Sequence, residues 1–119
     1  MLASPLTPDG PKAATPREEF DAIVLALVER LLRRWAKELG DVEFGTEDIP
    51  EMPADWGSEP VPFGSLVKPK PGKPARIVVF RRPVEMRART RLERMALVNE
   101  ILIEHIAELI GREPTEIDP

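Results

Sequence analysis

Residues 75–111 read ARIVVFRRPVEMRARTRLERMALVNEILIEHIAELIG, and this stretch decides the fold. Ile77, Val78, Val79 and Phe80 form an unbroken β-prone run, apolar at consecutive positions and therefore on both faces. It predicts a buried strand over 75–81. Arg82-Pro83 ends or kinks that strand, with Val84 and Met86 continuing it as an edge segment. Thr90-Arg91-Leu92-Glu93 is a capping box. It opens a helix that runs to about Ile110, with Gly111 placed to stop it. On a wheel at about 100° per residue, Met95, Val98, Leu102, Ile106 and Leu109 form one arc, and His105 falls inside it. Glu93, Glu100, Glu104 and Glu108 form the opposite stripe, interrupted by Leu97, with Ile101 beside Glu108.

Upstream, Thr15-Pro16-Arg17-Glu18 is a second capping box, with proline at the first helical position. Apolar residues follow at Phe20, Ile23, Val24, Leu27, Val28, Leu31, Leu32, Trp35 and Leu39, and Gly40 closes the pattern. A helix over 16–39 is expected. Val42-Glu43-Phe44 alternates as a short strand reaching toward Asp48. Seven prolines in 49–74 exclude a continuous helix there. Gly64 to Val67 can pair as an edge strand, and Lys68 to Lys73 read as a turn or exposed loop. Residues 1–15, with Pro5, Pro8, Gly10 and Pro11, read as a disordered tail. Residues 112–119 read as an acidic tail. The expectation is one α+β domain over 16–119, with a Pro-rich excursion at 49–74 and two main helices on one face of a small sheet.

Composition narrows the chemistry. The 119 residues include no cysteine and one histidine, His105. Thiolate zinc sites, disulfide scaffolds and multi-histidine sites are excluded. Seventeen basic against 21 acidic side chains give a net charge of −4, which argues against nucleic acid as a partner. Six arginines lie within 81–94, but aromatic interleaving is poor; they are expected to pair with the glutamate stripes and cover sheet edges. No apolar run reaches the ~18 residues of a membrane span, and the N-terminus lacks a secretory pattern, so a cytoplasmic address is expected. Trp56, in Ala54-Asp55-Trp56-Gly57, reads as a lid on the small core or as an anchor for a partner. An apolar surface around Trp56 or Leu97–Ile101 could support a homodimer.

The second helix has two readings. It is an ordinary amphipathic helix with a solvated glutamate face. Alternatively, because like charges at i and i+4 repel by about 0.2–0.5 kcal/mol per pair, Glu100, Glu104 and Glu108 are offset by arginine or by a cation.

The strand Ala75-Arg76-Ile77-Val78-Val79-Phe80-Arg81-Arg82-Pro83, followed by a helix ending Ile106-Ala107-Glu108-Leu109-Ile110-Gly111, resembles the small zincin-like metallopeptidases of bacteria, the minimal zincins. Arg17-Glu18-Glu19-Phe20 and Val42-Glu43-Phe44 with Glu47-Asp48 fit in order, so the resemblance covers roughly residues 17–113. In that family the helix carries His-Glu-x-x-His and an acidic residue soon after. Anchored on Ile106, Ala107 and Gly111, the resemblance puts the first histidine ligand at Glu104 and the second at Glu108. It puts the general base at His105 and the downstream acidic ligand near Glu113. The motif therefore reads Glu-His-x-x-Glu, and no member of the family triplet is retained. The resemblance implies a minimal zincin-like fold. It also implies one divalent ion, Zn²⁺, Mn²⁺, Mg²⁺ or Ca²⁺, at Glu104, Glu108 and Glu113; three carboxylates suit the harder ions. With that ion the chain is a metal-dependent peptidase acting on peptide or protein. Without it, an equally open outcome, the chain is a non-catalytic interaction or regulatory module on the same scaffold.

Overall fold

The computed structural model describes residues 14–52, 57 and 60–118. The expectations for most of the N-terminal tail and for Trp56 lie outside these residues. The elements run α1 (Pro16–Leu39), β1 (Glu43–Glu47), β2 (Gly64–Val67), β3 (Arg76–Phe80), α2 (Arg81–Arg87), α3 (Arg91–Ile110) and α4 (Pro114–Ile117). This is the expected α+β fold.

The run that is apolar on both faces becomes the central strand. The sheet order is β1-β3-β2, with β1 parallel and β2 antiparallel to β3. Phe44 and Leu66 both pair with Ile77, from opposite sides. Ile77 and Val79 join the buried residues of α1 and α3 in one core, while Val78 and Phe80, on the alternate face, are buried as well.

Both long helices start as their capping boxes dictate. The Thr15 hydroxyl accepts from the Glu18 N–H (3.1 Å), and the Glu18 carboxylate accepts from the Thr15 N–H (2.9 Å). α3 ends on Gly111 in the left-handed region (φ 71°), which a side chain would disfavour. Gly40 behaves differently from expectation. It stays right-handed, and α1 is closed by a turn in which the Val42 N–H donates to the Leu39 carbonyl (3.0 Å).

Two further expectations are corrected. Val84 and Met86 do not extend the strand; Arg81 to Arg87 is helical. Pro83 is the third residue of that helix, where its missing N–H would have no intrahelical acceptor anyway, so it suits a helix start. The acidic tail contains a helical turn, α4, whose Ile117 is fully buried. Trp35 reaches this turn: its Nε1 donates to the Ile117 carbonyl at 2.8 Å. Trp35 also leaves helical geometry (φ −114°, ψ 28°), so α1 kinks where α4 docks.

Beyond β1 and β3, Asp48 accepts from Arg17 and from Arg81 Nε (3.1 Å), and Arg81 also binds Glu85 (3.0 Å). The Asp48 carboxyl is held below its usual range, chiefly by the Arg81 hydrogen bond. Glu18 and Glu93 are held low by the backbone N–H groups of their capping boxes. The stability these groups lend is complete above their unfolded-state values near 4 and is lost as pH falls through the lower folded-state values. Urea midpoints are therefore expected to decline below about pH 4, and Asp48→Asn is expected to make that decline shallower. Among the described residues, no helix is long and apolar enough to cross a membrane.

Candidate functional site

α3 carries the residues singled out by the sequence. It leans on the edge strand β2, and the closest approach is at Gly64. A Cβ built there would lie 2.8 Å from the Val78 carbonyl oxygen, 2.9 Å from Ile101 Cγ2 and 3.1 Å from His105 Nε2. Only glycine lets helix and strand approach this closely. This contact buries Ile101, so the expected apolar surface at Leu97–Ile101 is largely turned inward; Leu97 remains half-buried. His105 is half-buried with its imidazole against β2.

The glutamate stripe lies outside. Glu100, Glu104 and Glu108 are all exposed. The arginines expected to neutralise the stripe go elsewhere. Arg81 binds Asp48 and Glu85, and Arg94 binds Glu19 at 2.6 Å. Among the described residues, no ion pair involves Glu100, Glu104 or Glu108.

Glu104 borders a cleft of about 490 Å³ along α3. Glu93 and Glu100 share its wall, Leu97 and Ile101 come from the same helix, Phe63 precedes β2, and Arg87 and Ala88 come from the end of α2. Glu93 is ionised and fixed here, because its carboxylate accepts from the Arg89 and Thr90 N–H groups at 3.0 and 2.9 Å. Glu108 does not reach this cleft. Glu113 precedes α4, and its N–H donates to the Glu116 carboxylate (2.9 Å). The structure thus brings Glu104 together with Glu93 and Glu100. It does not gather Glu104, Glu108 and Glu113: among the described residues, no three His, Asp or Glu side chains are grouped to hold a metal ion.

Phe63, Arg87 and Ala88 carried no signal in the sequence, because their place in the cleft depends on how the chain returns to α3. The α3 side was legible in principle: Glu93, Leu97, Glu100 and Glu104 recur at helical spacing on one flank.

α3 thus packs on a mixed three-stranded sheet, with His105 beside the antiparallel edge strand β2. The family model for zincin-like metallopeptidases matches residues 39–119, and the chain belongs to that family. No curated protein matches the chain. The family implies zinc, and the donors present do not fit it. Zinc sites in proteases pair neutral imidazoles with a carboxylate. Here the chain's only imidazole, His105, is turned to β2, and there is no thiol.

Proposed function

We propose that this metallopeptidase-family chain keeps a peptide-receiving cleft but acts as a non-catalytic binding module for a peptide or protein segment. One observation carries the reading. Glu104 and Glu108, on the turn that the resemblance assigns to the metal, are exposed and ungrouped, and the single histidine packs against Gly64. The edge strand supports a binding role. The Phe80 N–H donates to the Phe63 carbonyl (2.8 Å), so in this register Phe63, Ser65 and Val67 bond to β3. Gly64 and Leu66 then turn their backbone groups outward, where an extended peptide can pair with them.

The test is metal affinity. Chelator-stripped protein is titrated with Zn²⁺, Mn²⁺ and Ca²⁺ by calorimetry, beside Glu104→Ala/Glu108→Ala. Millimolar or absent binding is expected for both proteins. Micromolar binding of about one ion, lost in the double variant, overturns the reading and revives that of a metal-dependent peptidase, to be followed by a peptidase screen.

A further inference from the structure

The cleft along α3 is lined by three acidic residues, Glu93, Glu100 and Glu104, by one basic residue, Arg87, and by the apolar Phe63 and Leu97. We infer that its occupant is an extended peptide segment with lysine or arginine at alternate positions. This rests on the peptide-binding reading above.

The spacing of the carboxylates selects this pattern. Glu100 and Glu104 are one helical turn apart, about 6 Å along α3. Side chains at i and i+2 of an extended strand are separated by about 6.6 Å on one face. A strand laid along the helix therefore presents every second side chain to this pair of glutamates. Glu93, about 16 Å from Glu104 along the axis, lies at the far end of the cleft and adds negative charge there without sharing this alternation. The intervening side chains face away from the glutamates, while the stems of the basic residues lie on Phe63 and Leu97. A cationic guest also relieves the repulsion between Glu100 and Glu104, with which no described residue forms an ion pair. An acidic guest would meet three like charges.

The experiment uses the full chain and three fluorescein-labelled octapeptides of one alanine–leucine frame. They carry arginine, glutamine or glutamate at alternate positions, and binding is read by fluorescence anisotropy. The arginine peptide is expected to bind at least about tenfold tighter than the glutamate peptide, with the difference shrinking at about 0.5 M salt. Glu100→Gln/Glu104→Gln is expected to weaken the arginine peptide about tenfold. Both side chains are exposed, so the fold survives, as an unchanged melting curve will show. Glu29→Gln/Glu38→Gln makes the same charge change on exposed positions of α1 and is expected to leave binding unchanged. Equal loss in the two double variants would mean attraction by net charge alone and would overturn the inference. Equal affinity for the arginine and glutamine peptides would overturn the charge selection while keeping a peptide-binding cleft. Binding of none of the three would overturn the peptide-binding reading itself.

Discussion

Trp35→Ala is expected to lower the unfolding free energy by about 3–5 kcal/mol, the range for deleting a large buried aromatic side chain. The indole is 7% exposed, and it sits where α1, α4 and the C-terminal segment meet. Removing it opens a cavity and leaves the Ile117 carbonyl without its 2.8 Å donor. Arg34 and Arg112, whose guanidinium carbons lie 5.6 and 5.5 Å from the ring centroid, lose a face to stack on. Small domains are stable by only about 5–15 kcal/mol, so this one change removes a large share. Trp35→Phe separates the two effects. It keeps most of the apolar volume and deletes the donor, so a loss of about 1–3 kcal/mol is expected. Urea unfolding followed by circular dichroism measures both. A loss below about 1 kcal/mol for Trp35→Ala would mean that the C-terminal turn is not docked on α1 in solution.

Glu104→His/Glu108→His is expected to create micromolar Zn²⁺ affinity at this turn of α3. Side chains at i and i+4 of α3 lie on one face about 6 Å apart, close enough for two imidazoles to grip one ion. Both positions are exposed, so the new rings need no repacking. Excess Zn²⁺ at about 100 times the dissociation constant would then raise stability by about 2.7 kcal/mol, reversibly by chelator. The gain is expected to fade below about pH 6, as the imidazoles protonate. Thermal melts with and without Zn²⁺ read the effect. Absence of any shift would show that side chains at positions 104 and 108 do not converge on one ion in solution.

Much of this molecule is written locally. Thr15 and Glu18, and Thr90 and Glu93, place both helix starts, because a cap needs only residues three apart. Ile77 to Phe80 mark the central strand, because only a strand flanked on both sides and covered on both faces can bury such a run. Val84 and Met86 were misleading. Their alternation suits a strand, but the proline before Val84 suits a helix start equally well, and local pattern does not choose between them. The acidic tail hid an anchor in the same way: one isoleucine among polar residues carries little signal, yet Ile117 is fully buried.

The candidate site divides along the same line. The sequence alone established that no zinc site built from several histidines or thiols can form, that Glu104 and Glu108 share a helix flank, and that the fold is α+β. Those facts depend on composition and on periods of a few residues. Only the tertiary structure decided that His105 lies against Gly64, that the arginines of 81–94 form no ion pair with Glu100, Glu104 or Glu108, and that Phe63 and Arg87 complete a cleft with Glu93, Glu100 and Glu104. Each of these brings together groups far apart along the chain or selects one ion-pair partner among several. Such choices are made by close packing of whole elements, where a missing Cβ at one glycine sets how near a helix can come.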